Sequence, residues 1–193
     1  MIDANIFSNK RNKRAKKNQI GTVVWFTGLS GAGKTTIANE LEKLLLNNDN
    51  HTYILDGDIC RKGLSADLHF DKKSREENLR RIRYVAAMFC DAGLITLVTF
   101  ISPFQEDRAK ARMLLEKHYV EIYVKVTLEV AEKRDPKGLY IRARKGEIPD
   151  FTGIHSPYEE PETPHLILDT EKSSATECAL KVFRYLKDQK FIY

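Results

Sequence analysis

Cysteine is scarce in this 193-residue chain: Cys60, Cys90 and Cys178 stand far apart and form no C-x-x-C pair. That spacing offers neither a disulfide framework nor a zinc site, and it points to a reducing compartment, the cytoplasm. Long apolar runs are missing too. No stretch approaches the roughly 18 apolar residues that a membrane span requires, and the N-terminus has no signal-peptide core, so a soluble protein with no membrane partner is expected. The chain also lacks any internal repeat and any N-K-x-D stretch of the kind that reads guanine, which argues against a GTP-binding switch.

Acidic residues are nearly absent from the first 17 positions, where Lys10, Arg11, Lys13, Arg14, Lys16 and Lys17 face only Asp3. The whole chain carries a formal charge of +5, and this segment accounts for all of it, leaving 26 basic and 26 acidic residues in the rest. A charge excess confined to a polar, aperiodic tail is poor support for nucleic-acid binding. A solvated leader is expected over residues 1–19, with weak contact to RNA or an anionic surface left open.

What remains is enough, at 42% hydrophobic residues, for one well-buried core and too short for two ordinary domains. Short apolar runs rich in β-branched residues, at 22–27, 52–55, 94–101, 120–126 and 166–168, read as buried strands. Helical spacing fills the gaps. Ile37, Ala38, Leu41, Leu44 and Leu45 mark a helix over 34–46, and Leu79, Ile82, Ala86 and Phe89 mark another over 75–91 with Gly93 as its C-terminal cap. Further helices are expected near 105–117, 128–133 and 174–188. The alternation predicts a three-layer α/β/α sandwich on a mostly parallel five-stranded sheet. Between 134 and 164 the prolines and glycines at 136, 138, 146, 149, 153, 157, 161 and 164 punctuate a polar stretch holding Arg142, Arg144 and Lys145. This reads as a mobile, irregular lid.

The strongest signal is Gly28-Leu29-Ser30-Gly31-Ala32-Gly33-Lys34-Thr35, a G-x-x-x-x-G-K-[ST] loop placed after a strand and before a helix. Its glycines permit a turn in which successive N–H groups face an anion. Lys34 would reach the β- and γ-phosphates of ATP, and the Thr35 hydroxyl would help hold Mg²⁺. Residues 20–193 are therefore expected to form a P-loop kinase domain.

The acceptor side reads less sharply. Asp58, in Leu55-Asp56-Gly57-Asp58 at the end of the second strand, is placed to accept a proton from an attacking hydroxyl or to orient Mg²⁺-bound water; turn chemistry explains the same residues equally well. Ser102, in Phe100-Ile101-Ser102-Pro103 at the end of the third strand, is either a helix N-cap ahead of proline or a hydroxyl beside the phosphate path. Arg75, Arg80, Arg81 and Arg83 crowd one stretch, and one or two of them are expected to meet an anion.

Taken with Ser74-Arg75-Glu76-Glu77-Asn78-Leu79-Arg80-Arg81, Arg134-Asp135-Pro136-Lys137-Gly138-Leu139-Tyr140, Phe151-Thr152-Gly153-Ile154 and Pro157-Tyr158-Glu159, these motifs closely resemble the adenylylsulfate kinase (APS kinase) family from about residue 20 onward. The resemblance implies transfer of the ATP γ-phosphate to the 3′-hydroxyl of adenosine 5′-phosphosulfate, giving 3′-phosphoadenylyl sulfate and ADP in sulfate assimilation. It implies a homodimer as well. Nucleotide contacts would come from residues 28–36, including Thr36, and Asp58 would lie beside the acceptor hydroxyl. Arg61, Phe70, Arg75, Asn78, Ile101 and Ser102 would meet the substrate, with Phe70 and Phe151 sandwiching its adenine. Lys137 and Leu139 would belong to the lid, and Ser102 matches a position assigned in some members as a phosphoserine intermediate. His69, Ser74, Gln105 and His155 stand where the family more commonly carries glycine, aspartate, arginine and aspartate. A kinase for a nucleoside monophosphate or a sugar acid would share the loop and fold but leave the motifs at 75–78 and 137–139 unexplained. No ATP sulfurylase domain fits in this length.

Overall fold

The computed structural model describes residues 18–193; the basic leader expected over 1–19 lies, but for its last two residues, outside the described residues. Five strands, β1 (Thr22–Thr27), β2 (Thr52–Asp56), β3 (Ile95–Thr99), β4 (Tyr119–Lys125) and β5 (Leu166–Asp169), form one sheet in the order β2-β3-β1-β4-β5, with every pairing parallel. All six residues of β1 are buried, as a central strand covered on both faces demands. Alternate residues point to opposite faces. Val24 and Phe26 join a core with α1 (Lys34–Leu46) and α7 (Ala175–Asp188), while Val23 and Trp25 join another with α3 (Lys72–Asp91) and α4 (Gln105–Leu115). The three-layer α/β/α expectation holds.

Local chemistry sets the boundaries. The helix over 34–46 begins and ends where periodicity places it, with Ile37, Ala38, Leu41 and Leu45 buried. α3 begins three residues before the expected start because Asp71 caps it, accepting from the Ser74 N–H at 3.0 Å. It stops as expected: Gly93 takes a left-handed φ of 85°, and the Leu94 N–H reaches back to the Phe89 carbonyl at 3.0 Å. α7 opens on a reciprocal capping box between Ser174 and Glu177.

Four expectations need correction. The segment 134–164 is not wholly irregular, for it contains α6 (Leu139–Arg144), which follows α5 (Leu128–Arg134). Pro136 and Gly138 read as helix breakers, but they stand just ahead of this helix, where the Asp135 carboxylate accepts from the N–H groups of Leu139, Tyr140 and Ile141 at 2.8, 2.9 and 3.2 Å. A short helix, α2 (Gly57–Lys62), occupies what reads as a turn, nucleated by the Asp56 carboxylate accepting from the N–H groups of Asp58 and Ile59. Ser102 does not cap a helix with proline at its first position. α4 starts at Gln105 after Phe104, and Ser102 has a left-handed φ of 38°. Finally, Gln19 belongs to the folded body, where its side-chain amide donates to the carbonyls of His51 (2.9 Å) and Gly93 (2.7 Å) and accepts from the His51 N–H (2.8 Å). Beside it the Ile20 N–H donates to the Phe191 carbonyl at 2.7 Å, and Gln19 bridges Ile192, so both ends of the described chain meet at the N-terminal edge of the sheet.

Gln19→Ala removes three of these bonds and leaves the buried Gly93 carbonyl without its Gln19 donor. A loss of about 2 to 4 kcal/mol in unfolding free energy is expected, read as a lower urea midpoint at unchanged m-value; an unchanged midpoint would count against the lock.

Candidate active site

β1 lies at the centre of the sheet, between β3 and β4, so the loop leaving its carboxyl end opens into the crevice where the strand order switches sides. That loop is Gly28–Gly33. At Gly28, with φ of 151°, a Cβ would lie 2.4 Å from the Val124 carbonyl oxygen, so only glycine fits the approach. Leu29 and Ser30 are partly buried, Gly31 has φ of 75°, and Ala32 is fully buried. Gly33 caps α1 without any side chain, which leaves the first N–H groups of the helix free of a competing cap. Thr36 is exposed on the first turn of α1.

The Lys34 ammonium folds back over this loop, donating to the carbonyls of Gly28 (2.9 Å) and Leu29 (2.7 Å). Burial, aided by the nearby charge of Lys137 and opposed by Asp56 and Asp58, lowers its pKa to about 7. Lys137, Asp56 and Asp58 are thus near enough to act on the charge of Lys34. Next to it, Thr35 Oγ1 donates to Asp56 Oδ2 at 2.9 Å, and Thr99 Oγ1 donates to the same oxygen at 3.0 Å. Burial alone would raise the Asp56 pKa, but the bonds from Thr35, Thr99 and the N–H groups of Asp58 and Ile59 outweigh it and hold the carboxyl ionised below its ordinary range. Sequence reasoning quoted Asp56 within its motif but gave it no role. Its signal was an acidic residue closing an apolar run; in the structure that run is an edge strand of which only Leu55 and Asp56 are buried.

Across the crevice, Asp58 stands in the first turn of α2 and pairs with Lys137 of the segment 134–164, both more than half exposed. The Arg61 guanidinium stacks 4.2 Å from the centre of the Phe70 ring and donates to the His69 carbonyl at 3.1 Å. Of the crowded arginines, Arg80 and Arg81 pair with Glu77, Arg81 also with Asp67, and Arg83 with the buried Asp107 at 3.5 Å. Arg75 differs. It donates to three neutral acceptors, the carbonyls of Phe70 and Asp150 and the hydroxyl of Thr152, tying α3 to the segment 150–152. Its neighbour Asn78 is buried, with a side-chain carbonyl that has no hydrogen-bond partner among the described residues.

The remaining residues sit deeper. Ile101 offers its carbonyl to Thr27 Oγ1 at 2.7 Å and to the Gly28 N–H at 3.5 Å, joining the end of β3 to the phosphate loop. Ser102 is 2% exposed, and its hydroxyl accepts from the Trp25 indole N–H at 2.9 Å. Phe151 is buried edge-on against Tyr140, 5.0 Å between ring centres, whereas Phe70 is exposed. Leu139 opens α6 half-buried, and the following Tyr140 hydroxyl donates to the Ser30 carbonyl at 3.0 Å, linking α6 to the phosphate loop.

Among the described residues no group of three or more His, Cys, Asp or Glu is placed to hold a metal ion. The Thr35–Asp56 pair suits Mg²⁺, which keeps several waters and needs only one or two protein oxygens beside nucleotide phosphates.

Residues 20–169 match the family described as adenylylsulphate kinase. An adenylyl-sulfate kinase of Clostridium acetobutylicum is 51% identical over 183 residues, covering 95% of this chain and 92% of that protein. The Mycobacterium tuberculosis APS kinase, solved in complex with AMPPNP and APS, superposes with a TM-score of 0.84 at 45% identity, over 88% of this chain and 99% of that one. A hexameric APS kinase from Thiobacillus denitrificans gives a TM-score of 0.69 at 30% identity, over 92% of this chain but 31% of that one. With its central phosphate loop and identity at this level over nearly its whole length, the chain belongs to the adenylylsulphate kinase family.

Proposed function

We infer that the protein is an adenylylsulfate kinase, transferring the γ-phosphate of ATP to the 3′-hydroxyl of adenosine 5′-phosphosulfate to give 3′-phosphoadenylyl sulfate and ADP. The observation that carries this reading is the meeting of two halves in one crevice: a P-loop with Lys34 and Thr35, and opposite it Asp58 paired with Lys137. Phosphoryl transfer asks for little covalent work from a protein. It needs reactants held in line and negative charge neutralised as it moves.

In our proposal the N–H groups of the loop and Lys34 bind the phosphates. Thr35 and Asp56 hold Mg²⁺ which, when bound, offsets charge on the β- and γ-oxygens. Asp58 accepts the proton of the 3′-hydroxyl. Its partner Lys137 exchanges that carboxylate for phosphate oxygens, and the exposure of the pair makes the exchange inexpensive, since such pairs are worth about 0.2 to 1 kcal/mol. Arg61, Phe70, Arg75 and Asn78 bind the adenylylsulfate. The Asn78 carbonyl, unpaired among the described residues, supplies hydrogen-bonding capacity for it, and the Arg75 guanidinium supplies positive charge. The Ser102 hydroxyl is engaged with Trp25, which favours direct transfer to the acceptor over a phosphoserine. Residues 134–164 act as the lid of a kinase domain made of residues 20–193 together with Gln19, and two chains associate as a homodimer. No helix among the described residues is long and apolar enough to cross a membrane, which accords with a cytoplasmic enzyme.

A coupled ADP-release assay with Mg-ATP, offering adenosine 5′-phosphosulfate, AMP, shikimate and gluconate in turn, tests the reading. Turnover with only the first is expected, and turnover with only another acceptor would overturn it. Asp58→Asn is expected to lower kcat by about 10² to 10⁴ while leaving ATP affinity within about threefold. An equal loss in both would assign Asp58 to metal binding or structure instead. Nucleotide binding also carries a proton signature. Lys34 is largely uncharged in the free enzyme above its lowered pKa, and phosphate anions favour its ammonium. ATP binding at about pH 8 therefore takes up close to one proton, an uptake that vanishes near pH 6, where the lysine is already charged. Titration calorimetry in buffers of different ionisation enthalpy reads it, and Lys34→Ala abolishes it together with most turnover.

A further inference from the structure

The run Pro157-Tyr158-Glu159-Glu160 takes no part in the chemistry above, yet it is bonded at every turn to the floor of the crevice. The Tyr158 hydroxyl lies 2.9 Å from Thr27 Oγ1, the last residue before the phosphate loop. Thr27 commits its own proton to the Ile101 carbonyl at 2.7 Å, so the phenol is the donor. The Glu159 N–H donates to the Pro103 carbonyl at 2.9 Å, and its carboxylate accepts from the Gln105 N–H at 2.7 Å, supplying the cap that Phe104 cannot give α4. Its carbonyl accepts from Arg108 Nη2 at 2.6 Å.

Arg108 closes the circuit. It is 3% exposed, faces the Glu121 carboxylate at 3.1 Å, and donates through Nη1 to the Ser102 carbonyl at 2.7 Å. That carbonyl also lies 3.3 Å from Thr27 Oγ1. Ser102 thus receives bonds on both its oxygens while holding a left-handed backbone that side-chain-bearing residues seldom adopt. Such a conformation persists where the surroundings over-determine it, and such places cluster at functional sites. The residues so tied are the end of β3, which carries Ile101 and Ser102, and the entry to the phosphate loop.

We propose that Tyr158 and Arg108 are positioning residues: they clamp the 157–160 strap onto the ends of β1 and β3 and so fix the phosphate loop relative to the acceptor side. The proposal rests on the kinase reading above. A merely structural ring would lower thermal stability and leave the chemical step alone. A positioning ring changes the alignment of reactants, where small displacements are amplified in rate.

The test compares wild type, Tyr158→Phe, Thr27→Val and the double variant for kcat, KM for each substrate and Tm. Tyr158→Phe is expected to lower kcat about 5- to 20-fold, with KM for ATP within about twofold and Tm nearly unchanged; the double variant should be no slower than the worse single one, because the two hydroxyls act through one bond. A kcat within about twofold of wild type, or losses that multiply in the double variant, overturns the proposal. Trp25 is the sole tryptophan, and its indole is bonded to Ser102, so its fluorescence reads the ring without any acceptor. Arg108→Lys and Tyr158→Phe should each shift its emission and raise its quenching by acrylamide. If wild type fails to turn over adenosine 5′-phosphosulfate, the acceptor assignment falls; an unshifted Trp25 spectrum in both variants overturns the clamp whatever the acceptor.

Discussion

The site is organised around one carboxylate. Asp56 receives hydroxyl protons from Thr35 on α1 and Thr99 on β3, and its other oxygen receives the N–H groups that begin α2. Four elements therefore take their relative positions from a single side chain. It carries charge while itself buried, where an unsatisfied carboxylate would be severely penalised, so the bonds are obligatory rather than decorative. Because α2 begins on Asp56, the same bonds that keep it ionised aim Asp58 across the crevice. The proposed metal side and the proposed proton-accepting side are consequently set by one local solution to a desolvation problem.

Rigidity and mobility are divided along the same lines. The phosphate loop is confined by close backbone approaches, such as that of Gly28 to the Val124 carbonyl, that admit no larger side chain. The Asp58–Lys137 contact, by contrast, is an exposed pair of long reach and low worth. In the proposed reaction, the contacts that shape the loop before binding are buried, and the pair that is exchanged during binding faces water.

How much of this could be read from the sequence followed from how far each cause reached along the chain. β1 and α1 have the expected bounds because apolar period, glycine spacing and burial agree within a dozen residues. α2 escaped notice because six residues cannot display a period, and its cause is a cap rather than an apolar face. α6 was hidden by Pro136 and Gly138, whose usual meaning as breakers holds for the turn before the helix and not for the helix itself. The expected sandwich partners Phe70 and Phe151 sit in unlike surroundings, one exposed under Arg61 and one buried against Tyr140, a difference no local pattern encodes. Gln19, Arg108 and Tyr158 were passed over for the same reason: their partners lie tens of residues away, and a single polar side chain leaves no periodic trace of a distant acceptor.

The pairing of Gln19 with Ile192, and of Ile20 with Phe191, has a bearing on how this domain can be joined to others. Both ends of the described chain emerge side by side at the pole where the parallel strands begin, whereas the phosphate loop opens at the pole where they end. A segment that continues directly from either end of the described body therefore starts its path on the far side of the sheet from the mouth of the crevice.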